Sequence, residues 1–167
     1  MASVDEPTVC SVLKNLGGKT FNDGLYRVLR ADEVEEATEA GCLAFPELAQ
    51  HITVFGYDWL GRQFAADAGR RSKGMPQVLM LGFGTGSALQ IPVDPIAFHN
   101  DELVDYPDDA LAKPFFLQWQ AAARAKLKHY QCAGYKVPLF LGGAGDVDNL
   151  EVTDLSVYWH LCGQLRN

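Results

Sequence analysis

Between Ile52 and Ile91 the chain carries short apolar runs separated by glycine-rich or polar connections, the pattern of an antiparallel meander. Ile52–Gly56 is one such run, and Gln63–Asp67 follows it through Asp58, Trp59, Leu60, Gly61 and Arg62. Gln77–Leu81 is a third and Ala88–Ile91 a fourth. An earlier strand, Leu25–Leu29, follows the turn signal Asn22-Asp23-Gly24.

Helical spacing dominates on either side of that region. Pro7 fits the first turn of a helix that Gly17-Gly18 stops near Leu16. Asp32 can cap a second helix, whose start is acidic at Glu33, Glu35 and Glu36, as the helix dipole favours. The stretch Gly41–Pro46 is expected to break it. After Pro95 a short helical segment, 96–103, precedes Tyr106-Pro107. A longer helix to about His129 then carries Phe115, Phe116, Trp119, Ala123 and Leu127 at helical spacing, with a break near Ala112 or Lys113 because Pro114 belongs in a first turn. Lys136–Leu141 is apolar but contains Pro138, so it reads as an edge strand or a buried extended loop. A final helix spans 157–165, started by Thr153 or Asp154. The expected fold class is α+β, a central antiparallel β-sheet meander flanked by helices. Residues 1–167 read as a single unit, with 1–23 as an N-terminal helical appendage.

Composition narrows the function classes. The 167 residues carry a formal net charge of −7, a field that repels phosphate backbones and favours basic partners, so direct nucleic-acid binding is not expected. No apolar run approaches the roughly 20 residues of a membrane span, and the first residues lack a basic, then apolar, leader pattern. Cys10, Cys42, Cys132 and Cys162 are widely separated, which suits reduced thiols in a cytoplasmic protein better than a metal site. No cofactor and no metal is expected.

The motifs that resemble enzyme sites are weak. Gly82–Ser87 is glycine-rich, but the following segment reads as a strand and the loop lacks the Gly-Lys-Ser/Thr ending of a phosphate loop, so a hairpin turn is expected. It supports an alternative reading, a small-molecule or nucleotide-binding regulator. The 142–149 loop has Asp146 and Asp148 but Leu150 where a calcium loop needs a third oxygen. His99 beside Asp101 and Glu102 could act as a general base in a hydrolase. Asp58, Trp59 and Arg62 form a structural corner or, for the tryptophan and arginine, anchors in an interface. The strongest electrostatic feature is the stretch from Asp94 to Asp109, with Asp101, Glu102, Asp105, Asp108 and Asp109, no Lys or Arg, and the aromatic residues Phe98 and Tyr106. Such a run is either a solvated helix face or a docking surface for a basic protein. The segment 68–76 is basic instead, at Arg70, Arg71 and Lys73.

Four blocks, Phe55–Phe64, Phe98–Tyr106, Lys136–Gly143 and Asp148–Trp159, together resemble immunity proteins of bacterial type VI secretion systems. The nearest group pairs a GAD-like region with a C-terminal immunity domain, and the blocks are also similar in style to the SUKH immunity superfamily. The resemblance runs from Gly24 to the C-terminus and carries no catalytic residue. It implies a cytoplasmic antitoxin that binds and neutralises a cognate secreted toxin, by expectation a nuclease, through stoichiometric occlusion and without catalysis of its own. Charge and aromatic content select Asp58, Trp59, Arg62, His99, Asp101, Glu102, Asp105, Tyr106, Asp108 and Asp109 as the toxin-binding residues.

Overall fold

The computed structural model describes residues 5–167. From the N-terminus it runs through helix α1 (Pro7–Leu16), strands β1 (Thr20–Phe21) and β2 (Tyr26–Val28), helix α2 (Val34–Ala44), and strands β3 (Ile52–Asp58), β4 (Gln63–Ser72), β5 (Met75–Gly82) and β6 (Ser87–Ile91). A helical stretch follows: α3 (Pro95–Ala97), a π-helical turn (Phe98–Glu102), α4 (Leu103–Asp105), α5 (Pro107–Leu111) and α6 (Lys113–Ala123). Strands β7 (Gln131–Tyr135) and β8 (Leu150–Asp154) and helix α7 (Leu155–Arg166) complete it.

The first six strands pair antiparallel in sequence order, so the α+β class and the meander expected from the sequence are both present. Side chains of successive strand residues point to opposite faces, and this sheet uses both. Phe55, Phe64, Ala66 and Val78 enter one core, which receives Val9 and Val12 from α1 and Phe98, Leu111, Phe116 and Trp119 from the stretch after Pro95. Val54, Tyr57, Ala65, Leu79 and Leu81 enter the other, which receives Val34, Ala37 and Ala44 from α2 and Leu155, Trp159 and Cys162 from α7. The sheet is thus a shared wall with a helical layer on each side.

Several elements differ from the sequence expectation. Helix α2 continues through Gly41 to Ala44. Gly41 is a packing residue, because a Cβ there would meet Gln63 Oε1 at 2.6 Å; the stop comes at Phe45, before Pro46. The helix expected to reach His129 ends at Ala123, where Arg124 turns left-handed at φ 48°. The expected break is at Ala112, also left-handed at φ 49°. The segment 136–141 is the first part of the loop, 136–149, of an unforeseen hairpin, β7–β8, and carries a 3₁₀ turn at Leu139–Leu141. Strands β4 and β5 outrun their expected ends, so Arg70 and Arg71 sit in a hairpin arm, paired with Asp67 at 3.0 Å and Glu6 at 3.1 Å.

The glycine-rich turn joins β5 to β6, two strands, and its surroundings are filled by the chain itself. Leu139 N–H donates to Gly84 O at 2.8 Å, and a Cβ on Gly84 would meet the Tyr135 ring at 2.5 Å. At Gly84 the backbone is therefore packed against the β7–β8 hairpin, and the turn joins two strands rather than a strand and a helix. Strand β6 is the last in the sheet, with Ser87, Ala88, Leu89 and Gln90 exposed and none of them charged.

Candidate protein-binding surface

The turn between β3 and β4 is built around a carboxylate removed from water. Asp58 is 0% exposed. Its Oδ1 accepts the backbone N–H of Leu60 at 3.1 Å and of Arg62 at 3.0 Å, and its Oδ2 accepts Arg62 Nε at 2.7 Å. Burial pushes the Asp58 carboxyl up, while the Arg62 guanidinium and the two amides pull it back down. Gly61 at φ 73° closes the turn. Arg62 also reaches Ala110 O at 3.3 Å, and Trp59 Nε1 donates to Leu111 O at 2.9 Å. The Trp59 ring lies 5.3 Å from Phe115, 5.2 Å from Phe116 and 5.9 Å from Trp119. This corner therefore clamps α5 and α6 onto the sheet.

A second clamp holds the π-helical turn. Phe98 is buried against Phe64, 5.1 Å between centroids. His99 Nδ1 lies 2.6 Å from Pro95 O and Nε2 lies 2.8 Å from Tyr26 Oη. A carbonyl only accepts, so Nδ1 carries the proton and Nε2 accepts from the tyrosine hydroxyl. Burial lowers the His99 pKa, in keeping with a neutral ring. Both ring nitrogens are thus engaged within the protein, and the imidazole ties the start of the helical stretch to strand β2.

Together the two clamps present a ridge. Asp101, Asp105, Asp108 and Asp109 are exposed and Glu102 is half-buried. Two large side chains stand among them, Val104 at 67% and Tyr106 at 57% exposure. Asp94 caps α3, its Oδ1 accepting from Ile96 and Ala97 N–H at 2.8 and 3.1 Å. Of the residues selected from the sequence, the structure brings Asp101, Glu102, Asp105, Tyr106, Asp108 and Asp109 to one stretch of surface. Asp58 and Trp59, at 0% exposure, cannot touch a partner of the folded protein. Like Arg62 and His99, they hold the ridge from beneath. The sequence pattern marks them because a buried Asp-Trp turn and a docking anchor use the same residue types.

A feature absent from the sequence reading lies on the opposite side of the sheet. Helices α2 and α7 border a groove of about 710 Å³, with Leu43, Val157 and Leu161 exposed by 70%, 50% and 51%. Its signal in the sequence is the i, i+4 pair Val157 and Leu161, offset from the buried stripe Leu155, Tyr158, Trp159 and Cys162. Among the described residues no group of histidine, cysteine, aspartate and glutamate could hold a metal ion, and no helix is long and apolar enough to cross a membrane.

Residues 101–166 match the family model of the type VI secretion system immunity protein Tdi1, C-terminal. The crystal structure of Atu4351 from Agrobacterium tumefaciens superposes with a TM-score of 0.61 at 12% identity, covering 96% of this chain and 81% of that one, which shows a shared fold. No curated protein matches the chain. The resemblance to type VI secretion immunity proteins is thereby borne out by a match to that family over residues 101–166, from the acidic ridge through β7 and β8 to the end of α7.

Proposed function

We propose that this protein is a cytoplasmic immunity protein that neutralises a cognate toxin by stoichiometric binding, with no catalysis of its own. The observation that carries this reading is the Tdi1 C-terminal match over 101–166, which begins inside the acidic ridge. The ridge supplies the partner chemistry. Carboxylates at 101, 102, 105, 108 and 109 alternate along this stretch with the exposed side chains of Val104 and Tyr106. That arrangement suits a basic protein surface such as the substrate groove of a nuclease, whose phosphate-binding lysines and arginines the carboxylates would meet. Occlusion then follows from occupancy, and rim charges chiefly set the association rate.

The test is co-purification with the product of the adjacent gene, followed by growth rescue. A stable complex that restores growth, and fails to when Asp101, Glu102 and Asp105 are reversed to lysine, is the expected result. Absence of both complex and rescue would overturn the reading.

A further inference from the structure

We infer that the groove between α2 and α7 is a second docking site, for a basic amphipathic helix of the same toxin; this rests on the immunity reading. The groove is formed where two helices of similar length lie side by side on the second core, with Trp159 buried at its floor and Leu43, Val157 and Leu161 on its walls. Those three side chains are half or more exposed although each sits beside a packed apolar position. Exposed aliphatic residues gathered along a two-helix groove are the geometry that receives the apolar face of a third helix. Helix α2 has 11 residues, so its wall is about 16 Å long and matches roughly three turns of an incoming helix.

Charge selects the occupant. Glu36 and Glu39 line the α2 wall, and neither has an ion-pair partner among the described residues. A helix with lysine or arginine beside its apolar stripe would supply that partner. A second copy of this chain would not, because it would bring Glu36 and Glu39 together with their counterparts in a chain of net charge −7. The acidic ridge stands on the other helical layer, so the two sites face opposite ways. A partner engaging both must reach around an edge of the sheet, as a tail or a terminal helix can.

The test compares the toxin product of the adjacent gene, co-expressed with wild type or with the variants Leu43→Asp/Leu161→Asp, Glu36→Lys/Glu39→Lys and Asp101→Lys/Asp105→Lys. All three sets lie on exposed positions, and unchanged melting temperatures of the isolated variants confirm folding. The expected result is an affinity loss of about tenfold or more in both groove variants, through faster dissociation for the leucine pair. Full affinity in both groove variants beside a weakened ridge variant would overturn the groove site and leave the immunity reading standing. No complex with wild type would overturn both. A wild-type dimer in light scattering that Leu43→Asp/Leu161→Asp dissolves would assign the groove to self-association and overturn the proposal.

Discussion

Arg62 is the only cation paired with Asp58 among the described residues, and the carboxylate is wholly out of water. Arg62→Met leaves that charge buried without its counter-ion and should cost about 3–5 kcal/mol in urea unfolding. The pH dependence should change with it. Without Arg62 the folded-state pKa of Asp58 rises further above its unfolded value, so the folded state holds the proton longer, and the variant should lose stability as pH climbs from about 4. His99 has the opposite sign. Its folded pKa is lowered by burial, so the unfolded chain takes up the proton first, and stability should fall as pH drops below about 6.5. In His99→Gln that slope should flatten when unfolding free energy is measured across pH 5–8. Both residues were conspicuous in the sequence, Arg62 in the turn after the Asp-Trp pair and His99 beside acidic neighbours. Their roles were not legible there, because a side chain that clamps and one that contacts a partner differ only in burial.

At the scale of elements, the central strands were legible because Ile52–Gly56 and Gln77–Leu81 are compact apolar runs bounded by turns. Strand β7 was not: Gln131, Cys132, Ala133, Gly134 and Tyr135 contain no β-branched residue, and only pairing with β8 makes them a strand. Gly41 misled in the other direction, since a glycine placed for helix–sheet contact has the same appearance as one placed to end a helix. The break at Ala112 was foreseen from Pro114, but its left-handed geometry makes a further prediction. An alanine at φ 49° is strained where glycine is not. Ala112→Gly should therefore raise the unfolding free energy by about 0.5–1 kcal/mol, measured by denaturant titration, with the helices on either side unchanged by circular dichroism.

For the whole molecule, the decisive arrangement is one sheet with a helical layer on each face. The ridge was visible in the sequence as a run of like charge. The groove was hidden because α7 is apolar on two sides and nothing in the linear order tells which side α2 leaves open. Long-range attraction of a basic partner to a chain of net charge −7 should make association fast at low salt. Stopped-flow measurements should show the association rate falling steeply as ionic strength rises through the range where the Debye length shrinks below about 10 Å, while dissociation changes little.

Strand β6 has a consequence for colloidal behaviour. An outer strand presents unpaired backbone donors and acceptors, and soluble proteins ordinarily guard such a row with lysine, proline or a bulge. Here the row reads Ser87, Ala88, Leu89, Gln90, with Leu89 57% exposed and no charge of its own. Mutual repulsion between whole molecules is then the main barrier to strand-to-strand stacking of copies. That repulsion vanishes near the isoelectric point of about 5.0. Concentrated samples acidified to that point should develop β-rich, dye-binding aggregates, and Leu89→Lys should delay them by restoring a local charge where the global one has gone.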